Sequence, residues 1–339
     1  MSSAVYCAVA VAVAVAAAAE KPLLGAIYFG DWHVDPQMSA LHGANWTEWE
    51  VPVSATPRFE GHDQPHLPLE DPKSGMGRGA SENDPLVMAK KIDAAVESGI
   101  GMFLFDWYWY ASPTMGHIPD LQGPGGGPFL DGALADGFMK AANREKMEFA
   151  LMWANQDWVD IHPAKLGWHS TYRAKGPSAP TVGAGVWPGM LLMFDGYLAP
   201  DVYRNAFKHI AETYFTAPNY YKAPTRLANG TTAQCCFFSM YQPEVVAPGN
   251  ETLAAELMND FRAAAESVGQ CLHLSHMSGP PSNDKLIATR RVDSVSAYGW
   301  MKLGESVEYT YPRTPYETVA AHAWAKVGFV YRYLLRESR

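Results

Sequence analysis

The chain has no run of Lys and Arg, and its 339 residues carry a formal charge of −9. An acidic field of that kind repels a phosphate backbone, which excludes nucleic acid as a partner. Cysteine is scarce, with four in all. Cys7 falls in an apolar leader, and Cys235, Cys236 and Cys271 show no C-x-x-C spacing. Either member of the adjacent pair can bridge Cys271 if their strands are neighbours; three buried thiols are the alternative. Histidine offers no metal centre either. Pro65 breaks any helix that would align His62 with His66, and His273 and His276 point to opposite faces of a strand.

Other chemistries fall with the motifs they need. No G-x-S-x-G elbow is present, and the glycine run GPGGGP lacks the Lys and Ser or Thr of a phosphate loop. The bulky Tyr28-Phe29-Gly30-Asp31-Trp32 leaves no close approach for a dinucleotide. Acyl transfer, nucleotide hydrolysis and dinucleotide chemistry drop out, and no cofactor is expected.

What is present starts with Ala4–Ala19, an unbroken small and apolar stretch ahead of Glu20 and Lys21. It is shorter than the roughly 20 residues of a membrane span and ends in a small-x-small site, so residues 1–19 read as a signal peptide. The mature chain is then expected in the secretory lumen or outside the cell, with no stable membrane span. The sequons at Asn45, Asn229 and Asn250 agree with that compartment where they are surface exposed.

From residue 20 onward, near-continuous apolar runs of strand length alternate with segments of helical period, as in a parallel sheet buried on both faces. Strands are predicted at 24–29, 100–106, 147–153, 235–241, 271–277 and 294–300. Helices are predicted at 84–98, where Asp84-Pro85 opens the helix and Gly99 closes it, and at 130–144, 201–215, 252–268 and 316–336. Val87, Met88, Ile92 and Val96 share the apolar face of the first helix. A long loop covers 154–200. The fold class is α/β, a (β/α)8 TIM barrel with about six βα units present, its active site at the carbonyl-terminal strand ends; a doubly wound open sheet is the runner-up.

In that register the strand ends gather Asp31 and Trp32; Asp106, Trp107, Tyr108, Trp109 and Tyr110; Trp153, Asn155, Asp157 and Trp158; Tyr241; and Tyr298 and Trp300. Sugar C–H faces pack on aromatic rings while hydroxyls need carboxylate, amide and phenol partners, so this mixture suits an oligosaccharide or polysaccharide. Glycoside hydrolysis needs two carboxyl groups, one as proton donor and one as base or nucleophile. Asp106, Asp157 and Glu48 are the catalytic candidates, with Glu50 nearby. Four consecutive aromatics cannot all face one way, so about half of Trp107–Tyr110 line the cleft. For Asp157, a loop-capping role stands beside the catalytic one.

These residues resemble the glycoside hydrolase family 99-like group, whose wider circle includes the WbsX-type proteins. The matching runs are NWTEWE at 45–50, RFEGHDQPHLPL at 58–69, GIGMFLFDWYWY at 99–110, LMWANQDW at 151–158 and FFSMYQPE at 237–244. The resemblance implies a (β/α)8 barrel acting on glycans, family 99 itself comprising endo-acting α-mannosidases and mannanases that retain anomeric configuration. It places Glu48, Asp106, Asn155 and Asp157 in strand-end segments of the sugar-contacting face. The family's principal catalytic carboxylates sit in a Glu- and Trp-rich segment near its last strands, which finds no equivalent after Trp300. The expectation is therefore a glycosidase domain over 20–339 lacking its last strands. An inactive glycan-binding barrel and a glycosyltransferase are the alternatives.

Overall fold

The computed structural model describes residues 23–57, 60–61, 67, 77, 80–160, 191–243, 246–277 and 292–296. The leader, His62, His66, Tyr298, Trp300 and the helix expected at 316–336 lie outside the described residues.

Six parallel strands form the spine: β1 (Gly25–Tyr28), β2 (Met102–Tyr110), β4 (Glu148–Trp153), β8 (Thr232–Met240), β9 (Leu272–His276) and β10 (Ser294–Val295). They lie side by side in chain order. A doubly wound sheet reverses its order at a switch point, and no reversal occurs among the described strands. The sheet is singly wound, as along one side of a barrel. Two short antiparallel additions join it: β3 (Gly127–Phe129) on β2 and β7 (Lys222–Arg226) on β8.

The helices form where their end signals are strongest. Pro85 stands in the first turn of α3 (Pro85–Glu97) and the Asp84 carboxylate accepts from the Leu86 N–H at 2.8 Å. Met88, Ile92 and Ala95 are its buried stripe, whereas Val96 turns outward. The same signature, Asp35 before Pro36, caps α1 (Pro36–His42), followed by α2 (Glu50–Ser54); both lie where the sequence reads as loop. Helices α4 (Pro200–Thr213) and α5 (Glu251–Ser267) stack Phe207 on Phe261 with ring centroids 4.3 Å apart. Arg204 locks the pair by bonding Asp260 and Glu256, each at 2.8 Å.

Three expectations are corrected. Strand β2 does not stop at Asp106 but runs on to Tyr110, because β3 returns along it and pairs Tyr108 with Phe129. The helix expected at 130–144 is a π-type turn, Ala133–Phe138, and a 3-10 turn, Arg144–Lys146. Gly137 makes the π turn fit, since any side chain there would collide with the Glu82 carbonyl. The loop expected at 154–200 contains β5 (Trp158–Asp160) and β6 (Leu191–Phe194), which pair antiparallel. No described helix is long and apolar enough to cross a membrane.

Asp131 is half-buried and accepts a hydrogen bond from the Tyr214 hydroxyl at 3.0 Å. Burial pushes its carboxyl up to about 7 from 3.8. Between those values the folded state holds a proton that the unfolded state releases, so this group's contribution is intact below pH 3.8 and is lost as pH rises towards 7. The stability of Asp131→Asn, read from its urea midpoint, should therefore gain on the parent by about 3 kcal/mol from pH 4.5 to pH 8. Parallel pH profiles for the two proteins would refute it.

Candidate active site

Side chains at one register level of a parallel sheet share a face. Trp107 of β2, Trp153 of β4, Met240 of β8 and His276 of β9 form one level. That face packs on helices: Trp153 meets Tyr203 and Phe207 of α4 at 5.5 and 6.3 Å, and Trp107 and Trp109 meet His209 at 6.4 and 5.1 Å. The adjoining level faces the other way and is smaller and more polar: Asp106, Met152, Ser239, Ser275 and Ser294. Asp106 alone among residues 103–110 keeps partial exposure.

The candidate aromatics therefore divide. Trp107, Trp109 and Trp153 lie in the apolar layer between sheet and α4, not on the Asp106 face, because odd-numbered positions of β2 point towards the helices. Tyr108 and Tyr110 take the Asp106 side but are roofed: Trp158 packs edge-on to Tyr108 at 4.8 Å and Phe194 stacks on Tyr110 at 4.9 Å. Trp32, Trp158 and Tyr241 remain half-buried.

Four carboxyl groups, those of Glu48, Glu82, Asp106 and Asp35, surround Asp31. Asp31, three residues past β1, is 2% exposed, and neither of its oxygens has a hydrogen-bond partner among the described residues. Burial first, then the negative charges of Glu48, Glu82, Asp106 and Asp35, push its pKa well above 3.8. Its surroundings favour the neutral, protonated form. Glu48 is buried in the short segment between α1 and α2. Glu82 accepts from the Tyr28 hydroxyl at 2.6 Å and Lys91 at 2.5 Å, which ties β1 to α3 and fixes the loop carrying Asp31 and Trp32.

The remaining candidates hold the rim together. Asn155 donates to the Gln242 carbonyl and accepts from the Gln242 N–H, both at 2.8 Å, so its amide joins the ends of β4 and β8. Asp157 accepts from the Gly196 N–H at 2.9 Å, the loop-capping role; a side chain at Gly196 would run into the Gln156 backbone. Its charge still reaches Tyr110, whose hydroxyl is held well above its ordinary pKa, by burial first.

Two contacts escape the sequence reading. Trp49 lies 4.5 Å from Trp32, and His42 of α1 bonds Asp160 of β5 at 3.1 Å while stacking on Trp46 at 4.4 Å. The first brings NWTEWE against the end of β1, and the second ties it, through His42, to β5. Trp32 and the NWTEWE run stand out in the sequence, whereas His42 and Asp160 do not, and both pairings depend on tertiary contact rather than on spacing.

Among the described residues no group of three or more His, Cys, Asp and Glu side chains has the arrangement of a metal site. Residues 24–166 match a family model described as "Glycosyltransferase WbsX". "Uncharacterized protein WxcX" of Xanthomonas campestris pv. campestris, in strains B100 and ATCC 33913, is 30% identical over 136 residues, covering 40% of this chain and 16% of the relative. The chain thus spans about one sixth of the length of those relatives. Two structures of the GH99 endo-alpha-mannosidase from Bacteroides thetaiotaomicron are 13% identical to it over 81% of this chain and 58% and 61% of theirs, with TM-scores of 0.36 and 0.34. Scores that low carry no assignment of activity. Residues 24–166 are therefore similar to the WbsX family model, and four of the five motif runs fall within that span.

Proposed function

We propose that this chain acts on a glycan at the carbonyl-terminal end of its sheet, cleaving a glycosidic bond with Asp106 and its carboxyl neighbours as acid–base groups. The observation that carries the reading is the buried, unpartnered Asp31 beside Glu48 and the half-exposed Asp106. Glycoside cleavage asks one carboxyl group to donate a proton while another carries charge, and environments that separate two pKa values supply that division. Half-buried Trp32, Trp158 and Tyr241 offer rings for sugar faces. Trp107, Trp109 and Trp153 stand outside this proposed site.

The singly wound sheet supports membership of a (β/α)8 barrel. The Cys235–Cys271 disulfide supports a secreted or lumenal protein. Glycosyl transfer is the second reading, favoured by the description of the matching family. The test is incubation of the full chain with α-mannan and a panel of other glycans, with and without a free acceptor sugar. Hydrolysis gives new reducing ends without acceptor, and transfer gives an elongated acceptor. Glycan bound but recovered intact in both arms would sink the enzymatic reading in favour of a binding protein.

A further inference from the structure

The three sequons do not have equivalent folded surroundings. Asn45 has a left-handed backbone, φ +62°, and the middle residue of its sequon, Trp46, is half-buried and stacked on His42. Presenting that sequon in an open conformation means pulling Trp46 off the core. Asn250 is the N-cap of α5: its Oδ1 accepts from the Leu253 N–H at 3.0 Å, and Glu251 and Thr252 are already helical.

Asn229 lies outside any helix, and no residue of its sequon is held in the core. It lies at the tip of the β7–β8 hairpin, where the Leu227 N–H donates to the Thr231 carbonyl at 2.8 Å and Gly230 supplies the left-handed residue, φ +84°. Residues 228–231 are all exposed, beside a cleft of about 920 Å³. The Asn229 Oδ1 accepts from both the Thr231 N–H at 3.0 Å and the Thr231 hydroxyl at 2.7 Å. The side-chain carbonyl is thereby engaged within the sequon, and the Nδ2 amide belongs to an exposed residue with no hydrogen bond of its own among the described residues.

From this geometry we infer that Asn229 is the N-glycosylation site of the folded chain, taking an oligosaccharide from a lipid pyrophosphate donor. In that step Nδ2 attacks the anomeric carbon; the C–N bond forms as the bond from that carbon to the pyrophosphate oxygen breaks. The amide proton passes to a base of the transferring enzyme, the lipid pyrophosphate departs, and no oxidation state changes. The inference rests only on the lumenal part of the function proposed above.

The experiment expresses the full chain in a eukaryotic secretory host, behind its own first residues and, in parallel, behind a host leader. Intact mass is then measured before and after removal of N-glycans. Parent, Asn45→Gln and Asn250→Gln should each lose the mass of one glycan, whereas Asn229→Gln and Thr231→Ala should lose none. Thr231→Ser, which keeps the hydroxyl, should still be modified. A full glycan on Asn229→Gln, or unmodified protein from the host-leader arm, overturns the assignment. Glycan in that arm but none from the chain's own first residues supports the site and counts against the lumenal reading alone.

Discussion

Asp106→Asn should lower kcat/KM on the cleaved glycan by about 10²- to 10⁴-fold, the range usual for losing a positioned acid–base group. The substitution keeps the side chain's size and an acceptor oxygen but removes the negative charge and the exchangeable carboxyl proton. Asp106 is half-buried at a level of the sheet otherwise occupied by Met152, Ser239, Ser275 and Ser294, and the substitution leaves its volume unchanged. Stability should accordingly stay near that of the parent. A thermal melt separates the two effects, and glycan affinity measured by titration should be largely retained. Should the asparagine variant turn over at the parental rate, Asp106 is not an acid–base group and the proposed site is wrong. Should it unfold at parental assay temperature, its role is architectural.

The sequence made the central parallel strands legible because each is a short apolar run buried on both faces, ended by turn residues. That same burial concealed which face is which. Alternation along FDWYWY separates Trp107 and Trp109 from Tyr108 and Tyr110, yet only the position of His209 on α4 tells which pair faces the helices. Strand β7, Lys-Ala-Pro-Thr-Arg, has no apolar run to betray it, since it is an antiparallel appendage exposed at alternate positions. Helix α1 was legible in principle, because Asp35-Pro36 is the signature that marks α3 at Asp84-Pro85. Its short length, seven residues in a Pro- and Gly-rich stretch, outweighed that signal. At the site, burial of Asp31 without a hydrogen-bond partner depends on Glu48, Glu82 and Asp106 arriving from other elements. Spacing along the chain contains no record of that convergence.

Removing the disulfide should lower stability by roughly 4 kcal/mol, the loop-closure value for residues 36 apart in sequence. The pairing follows from register. Cys236 lies opposite Leu272 in the β8–β9 ladder, so Cys235 lies beside Cys271, and the two sulfurs are bonded. Cys236 alternates to the other face, is buried, and approaches the Phe215 carbonyl. Burial pushes its thiol up to about 11, so at neutral pH little thiolate exists to attack the neighbouring disulfide. Cys235→Ala with Cys271→Ala should therefore shift the urea midpoint sharply downward, and reductant should move the parent towards that value. The double variant itself should not respond to reductant. Cys236→Ala, in contrast, should keep the reductant-dependent shift because the Cys235–Cys271 bridge stays intact. Equal midpoints for oxidised and reduced parent would show that the bridge does not constrain the unfolded chain; loss of the shift in Cys236→Ala would show that the adjacent thiol, not Cys235, is the one that pairs.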